Sequence, residues 1–458
     1  MDSPEVIVVG GGIAGIAAAL EVNKAGRRVL LIERSRFLGG RAGSSFLESE
    51  GELDAGHHVY LGCCTNLRQL LGELGVERLA PLEKRLDLAI IDAALGSRRR
   101  ARLRAVPLPY PLSLAGALLR YGHLSPLDRL RAIGTVARAV RERRTADRAG
   151  RLERATFLQW LEESGASKEA IRCLWEPLAV AALNAPPAAV SASAGVMLLA
   201  ESLAGGAKAA SIGLFRAPMS RLWEPAVRLL EPAGGALLGR PVRRVIIEDG
   251  RAKGVALDLG EEIAAGAVIV ATSHVHAVRL LPDAAASHPF FARLTRLATR
   301  PIVNVHLWYD RPVMDEVMTG VLGSPLQWIF DLSALYEKAP GDNPGRLGRH
   351  YSVSISDARR EMEIPQAQLV EEIDREVRRI FPAAGQARLV RGLARKVRHA
   401  TFTCEPGSAI LRPTNETPVP GLFLAGDYTD TGWPATMESA VIGGKTAARL
   451  ALGYLSRR

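Results

Sequence analysis

Near its start the chain carries a four-residue run, Val6-Ile7-Val8-Val9, that breaks directly into Gly10-Gly11-Gly12-Ile13-Ala14-Gly15. No other segment limits the fold as much. A short continuous apolar run reads as a buried parallel strand. The three glycines of a Gly-x-Gly-x-x-Gly turn have separate roles. Gly10 permits the tight turn, Gly12 lets backbone approach a bound anion, and Gly15 lets the following helix lie close to the strand. Ile16–Ala25 reads as a helix of small residues that Gly26 closes. Val29–Ile32 reads as a second buried strand ending at Glu33. In such a βαβ unit a pyrophosphate sits on the helix N-terminus, here on the N–H groups around Ile13 and Ala14. The acid at the end of the second strand accepts from ribose hydroxyls.

A chain of 458 residues exceeds what one hydrophobic core supports, so a second unit is expected. Further pieces of the first unit recur late: Val268–Ala271 and Leu422–Ala425 read as buried strands, and Met437–Leu452 as a final helix. Val242–Glu248 and Lys253–Asp258 flank Asp249-Gly250, a hairpin signal. Between them lie expected helices at Asn66–Gly75 and Leu369–Ile380 and expected strands at Ile302–Tyr309 and His350–Ser356. The expectation is an α/β fold in which a Rossmann-like dinucleotide domain (1–90, 215–275 and 415–458) is interleaved with a mixed α+β substrate domain (91–214 and 276–414).

The net charge is +11, with only eight lysines among 59 basic residues. Residues 91–155 hold 15 arginines against five acids, so nearly the whole excess sits in one stretch, which suits an anionic partner. Ser125-Pro126-Leu127-Asp128 reads as a helix start with Ser at the N-cap and Pro at the first position. The helix after it carries Leu127, Leu130, Ile133, Ala137 and Val140 on one stripe and arginines mostly off it. The basic helical region 98–155 therefore reads as a membrane-facing element. The run Arg98–Arg104 reads as a solvated loop; no nucleic-acid module accompanies it, so nucleic acid is not an expected partner. Four cysteines make no disulfide framework in a chain this long. His57, His58, Cys63 and Cys64 would point to opposite faces of an extended segment, so no metal site is expected. No signal peptide or spanning helix is read from the sequence, and the expected setting is cytoplasmic, peripheral on the inner face of the cell membrane.

The glycine turn alone does not choose between dinucleotides. Two other segments do: Leu38-Gly39-Gly40-Arg41 soon after the ribose acid, and Leu424-Ala425-Gly426-Asp427 just before the last helix. With the turn, they resemble the flavin amine oxidase and phytoene desaturase superfamily, which implies FAD. The segments Trp175–Pro187, Gly426–Val441 and Asp54-Ala55-Gly56-His57-His58 are similar to the squalene-associated FAD-dependent desaturases, the hydroxysqualene dehydroxylases of bacterial hopanoid pathways. His57 stands where that family usually has Gln. The resemblance implies cofactor contacts from Gly10, Gly12, Ile13, Ala14, Gly15, Glu33, Arg34, Gly40, Arg41, Gly56, His57, Val242, Gly426, Asp427, Thr436 and Met437.

The implied reaction is reductive removal of a hydroxyl from an apolar isoprenoid, hydroxysqualene to squalene. Hydroxide leaves poorly, so an acid should protonate it; His58, His57, Asp54 and Glu438 are the candidates. A separate electron donor is expected, because no second fingerprint for a nicotinamide cofactor is visible. Three alternatives stand beside this reading: a carotenoid or phytoene-type desaturase, a flavin amine oxidase, and a non-catalytic isoprenoid carrier stabilised by flavin.

Overall fold

The computed structural model describes residues 3–47, 51–94, 98–145, 150–206, 208–337 and 348–457. A five-stranded sheet runs in the order Leu422–Leu424, Ala267–Val270, Val6–Val9, Val29–Glu33, Ala236–Leu238. All four pairings are parallel. Its central strand is buried on both faces, which explains its unbroken apolar run. Helix Ile13–Lys24 covers one face and packs along the last helix, Met437–Ser456. The two run so close that a Cβ on Gly444 would stand 2.2 Å from the Ala14 carbonyl oxygen. The antiparallel sheet of Val242–Glu248, Arg251–Leu257 and Glu262–Ala264 covers the opposite face.

A second, seven-stranded sheet has the order Leu389–Phe402, Thr299–Tyr309, Arg349–Ser356, Trp328–Asp331, Met318–Leu322, Asp87–Asp92, Arg99–Arg104. Only the pair Met318–Leu322 and Asp87–Asp92 is parallel. One face, with Val303, Val305, Leu307, Tyr351 and Val353, packs under helix Gln366–Ile380. Strand alternation sends Asn304, His306, Trp308, His350 and Ser352 to the other face. Beside this sheet lie the helices Leu112–Arg120, Pro126–Arg144, Phe157–Glu163, Glu176–Leu183 and Ala192–Ala204, around a core shared with Leu88, Ile90 and Phe330.

Several expectations need correction. The Arg98–Arg104 run is not a solvated loop: Arg99–Arg104 is the edge strand of the large sheet, and Arg102 and Arg104 pair with Asp87 on the neighbouring strand. A charged edge strand is protected from pairing with other chains. Strand Asp87–Asp92 pairs in the large sheet. Strand Leu389–Phe402 was not anticipated, because its arginines mask the alternation. The Ser125 cap forms as expected, its Oγ accepting from the Asp128 N–H at 3.2 Å. The helix it opens, however, does not bury the leucine stripe. Its buried positions are Asp128, Ala132, Thr135 and Ala139, and it lies against Ala192–Ala204. Leu127 and Leu130 remain 55% and 60% exposed. Residues 146–149 of the basic region lie outside the described residues.

Candidate functional site

The glycine turn is built for a close ligand. A Cβ on Gly15 would lie 1.8 Å from the Gly10 carbonyl oxygen, whereas a Cβ on Gly12 would meet nothing within 4 Å. Gly15 is thus required by the protein's own packing, and Gly12 faces open space. Helix Ile13–Lys24 has no side-chain cap and no acid in its first turn, so its first N–H groups remain for an anion. Glu33 accepts from the Gly11 N–H at 2.6 Å and from the Ser35 N–H at 2.8 Å. Each carboxylate oxygen keeps a second lone pair for a ribose hydroxyl. The Arg240 N–H donates to the Glu33 carbonyl at 3.0 Å, which brings the chain entering Val242 to the same strand end. Arg34 is exposed beside it.

The second glycine loop seats on the first. The Gly39 N–H donates to the Gly11 carbonyl at 2.8 Å, and Gly40, at φ +58°, approaches the Cα of Gly12. Arg41 then reaches across to Asp427, Nη2 to Oδ1 at 2.6 Å, and its Nη1 donates to the Ala400 carbonyl at 2.8 Å. The Asp427 carbonyl accepts from Ser439 Oγ at 2.8 Å, and Thr436 caps the last helix by accepting from the Ser439 N–H at 3.1 Å. Gly426, Asp427, Thr436 and Met437 are thus held beside the glycine loops.

Asp54 ends strand Gly51–Asp54 and reaches Tyr336, which follows the short helix after a strand of the seven-stranded sheet. Its Oδ1 accepts from Ser44 Oγ at 2.5 Å and the Met219 N–H at 2.9 Å, and its Oδ2 is 2.5 Å from the Tyr336 hydroxyl. Burial pushes the Asp54 carboxyl above its ordinary range. The Tyr336 hydroxyl also stands 3.4 Å from His57 Nδ1, and the His57 ring packs on Phe330 at 4.6 Å. Burial pushes the His57 imidazole down to about 3, so it is neutral. Behind it, His306 Nδ1 and His350 Nε2 are 3.0 Å apart, and His350 stacks on Trp308 at 4.2 Å. Burial holds His306 near 3 and His350 well below its ordinary value. Gly56 has no room for a side chain because Asn304 packs over it, donating to the Ala55 carbonyl at 2.9 Å.

The four acid candidates therefore separate. Asp54 and His57 are brought together. His58 turns away, its Nδ1 2.8 Å from the Gly56 carbonyl. Glu438 is engaged elsewhere. Its carboxylate accepts from the Asn66 N–H, Asn66 Nδ2 and the Leu67 N–H at 2.8–3.0 Å, capping helix Thr65–Glu73. With both oxygens committed inside the core, it is not placed to protonate a substrate.

Sequence reasoning missed Tyr336, His306 and His350. The signal for His306 was present: Asn304, His306 and Trp308 alternate with Val303, Val305 and Leu307, placing polar and aromatic groups on one face of an otherwise apolar strand. Asn184, in the Trp175–Pro187 segment, ties the helical layer to the large sheet. It adopts φ +53°, accepts from the Asp357 N–H at 2.7 Å and donates to Thr401 Oγ1 at 2.9 Å.

The profile of the family described as flavin containing amine oxidoreductase matches residues 13–452. A hydroxysqualene dehydroxylase from Rhodopseudomonas palustris is 30% identical over 98% of this chain and 99% of its own length. A 15-cis-phytoene desaturase from Synechococcus elongatus is 25% identical over 97% of this chain and 95% of its own. In structure, the chain resembles cyclohexylamine oxidase from Brevibacterium oxydans, with a TM-score of 0.68 at 21% identity, covering 99% of this chain and 100% of that one; this likeness concerns the fold. The open Gly12, the uncapped helix and the doubly anchored Glu33 fit the pyrophosphate and ribose of FAD. The chain is an FAD-dependent oxidoreductase and belongs to the flavin containing amine oxidoreductase family.

Proposed function

We propose that this protein removes the hydroxyl of hydroxysqualene reductively, yielding squalene. The observation that carries the reading is the polar cluster of Asp54, Tyr336, His57, His306 and His350, of which Asp54, His57 and His306 are buried. Desaturation of a hydrocarbon has no leaving oxygen to serve. Dehydroxylation has one, and needs a donor held in a water-poor site. The 30% identity to a hydroxysqualene dehydroxylase supports the same reading.

When bound and reduced, FAD supplies the hydride. The chain's own residues fix the cofactor through the two glycine loops and Arg41–Asp427, orient the alcohol oxygen toward the polar cluster, and exclude water with Phe330, Trp308 and the helical layer. The test is a single turnover: anaerobically reduced enzyme mixed with hydroxysqualene should reoxidise its flavin and release squalene, identified by mass. Flavin that stays reduced, with no squalene formed, defeats the reading. Formation of a more unsaturated product by the oxidised enzyme from a polyene hydrocarbon would favour the desaturase alternative.

We propose further that the protein meets this insoluble substrate at an anionic bilayer. Leu112, Leu119, Leu127 and Leu130 are exposed along the two helices that begin at Leu112 and Pro126, and Leu108 is exposed just before them. Arg120, Arg131 and Arg141 are exposed on the same helices. Among the described residues no helix is long and apolar enough to cross a membrane, so contact would be made by this surface. Co-sedimentation with vesicles should require anionic lipid, weaken with salt, and fall several-fold in a Leu127→Ser, Leu130→Ser double variant. Binding indifferent to lipid charge and salt overturns this proposal.

A further inference from the structure

We infer that Cys63 and Cys64 form a dithiol site that hydroperoxides oxidise to a disulfide between the two neighbours, and that trivalent arsenicals bridge. The inference does not depend on the dehydroxylase reading. It stands on a turn that brings two adjacent thiols together and on the different exposure of the two.

Neighbouring residues of an extended strand point to opposite faces, which would keep the sulfurs apart. Here the strand ends at Leu61. The Cys64 N–H returns to the Leu61 carbonyl at 2.9 Å, and the Thr65 N–H to the Cys63 carbonyl at 2.9 Å. Cys64, at φ −75° and ψ 70°, is the centre of an inverse γ-turn. The chain therefore turns between Leu61 and Thr65, and the Cys64 S–H donates to the Cys63 sulfur.

The two thiols have different surroundings. Cys63 is partly exposed and Cys64 is buried. The hydrogen bond from Cys64 holds the Cys63 thiol below its ordinary value, whereas the same bond and burial push Cys64 up. The remaining cysteines are poor nucleophiles. Burial pushes Cys173 up to about 12 and Cys404 up to about 11, and the Cys173 S–H is taken by Glu169 at 3.3 Å. An accessible, more acidic thiol beside a resolving one is the arrangement of a peroxide-sensitive pair. Among the described residues no third His, Cys, Asp or Glu joins the two in a possible metal site, so a structural metal does not account for them.

In the reacting step the Cys63 sulfur attacks the outer oxygen of the hydroperoxide. The O–O bond breaks, the thiol proton leaves with the departing alcohol (water, for hydrogen peroxide), and Cys63 becomes a sulfenic acid. The Cys64 sulfur then attacks the Cys63 sulfur, and its proton leaves with the sulfenic hydroxyl as water. The two electrons lost by the thiols are the two gained by the peroxide. An arsenoxide reacts without redox change: two As–S bonds form, and its oxygen leaves as water with both thiol protons.

The test treats the FAD-loaded enzyme, its flavin oxidised, with hydrogen peroxide. Remaining thiols are then alkylated under denaturing conditions and the peptides are mapped by mass. The peptide that holds Cys63 and Cys64 should be lighter by two hydrogens and resist alkylation until a reductant is added. It should form at least about tenfold faster than any change at Cys173 or Cys404. Phenylarsine oxide should bind once per chain, on that peptide, and block its oxidation. Cys63→Ser should lose both reactions, and Cys64→Ala should stop at a sulfenic acid on Cys63 that dimedone captures. If Cys64→Ala does not fold, wild-type enzyme oxidised in the presence of dimedone replaces it, with the label expected on Cys63. Label on Cys64 instead, oxidation that starts at Cys173 or Cys404, a disulfide that crosses between chains, or a pair that stays reduced and takes no arsenical overturns the proposal.

Discussion

Arg41 and Asp427, 386 positions apart in the chain, meet at 2.6 Å. The pair fastens the glycine loop that follows the second strand to the Gly-Asp turn that precedes the last helix. Asp427 is buried, with a side chain 7% exposed, while that of Arg41 is 40% exposed. Removing the arginine leaves a buried carboxylate without its partner, a change that costs about 3–5 kcal/mol in a fully buried pair and less where one member reaches solvent. Arg41→Ala and Asp427→Asn should each weaken FAD binding at least tenfold in reconstitution titrations of apoprotein. The double variant should be little worse than the poorer single one, because the two act as one contact. Additive losses, or full flavin retention in both single variants, would contradict this coupling.

The first and last roles in the glycine turn are separable by the same small change. At Gly12 a methyl group meets nothing within 4 Å and the backbone φ is −72°, so Gly12→Ala should fold. At Gly15 the methyl would stand 1.8 Å from the Gly10 carbonyl oxygen, which cannot move without tearing the strand–turn–helix junction. Gly12→Ala should therefore purify as a colourless protein with a melting temperature close to wild-type apoprotein, and Gly15→Ala should be insoluble or grossly destabilised. A yellow, flavin-saturated Gly12→Ala protein would mean that the open face above Gly12 is not where the pyrophosphate lies.

Glu438 offers a check on function against architecture. Its carboxylate satisfies the N-terminal N–H groups of Asn66 and Leu67, groups that a helix otherwise leaves without partners. Glu438→Gln turns one acceptor oxygen into a donor that faces those N–H groups, at a cost of about 1–3 kcal/mol. The expected phenotype is a lowered melting temperature and urea midpoint with flavin content and turnover per folded molecule within twofold of wild type. A loss of turnover at unchanged stability would make Glu438 a proton-donor candidate again.

The dinucleotide unit was legible because its information is local. Strand, glycine turn, helix and acid follow one another within one short stretch, and each residue type answers a steric or hydrogen-bonding need next to it. Tyr336 was not legible: its meaning comes from Asp54, 282 positions away, and nothing in its flanking sequence announces that contact. Glu438 was misread for the same reason. An acid at the start of the last helix, beside a flavin motif, looks catalytic until the helix 372 positions earlier is seen to begin on it. The arginine run at 98–104 hid an edge strand, because side chains facing water on a charged edge leave little apolar alternation to read.

The histidine cluster gives stability a pH dependence with a definite sign. His57 and His306 are pushed down to about 3 by burial, and His350 is depressed as well. In the unfolded chain each returns to about 6.5. Between those limits the unfolded state binds more protons than the folded one, so the stability that neutral burial contributes is present above about pH 6.5 and is lost as pH falls toward about 3. The geometry agrees, since a second proton on the His306–His350 pair would set two N–H groups against each other at 3.0 Å. Asp54 works the other way, because its raised carboxyl favours the folded state as pH falls, but it is one group against three. Each histidine should contribute a slope approaching about 1.4 kcal/mol per pH unit. Urea unfolding at pH 7 and pH 5 should show a marked loss at the lower pH. A His306→Gln variant, which keeps a polar group facing His350 but cannot titrate, should lose about 1–2 kcal/mol less over the same interval. An unchanged difference in that variant would mean that His306 is already charged in the folded protein, or exchanges protons freely with solvent.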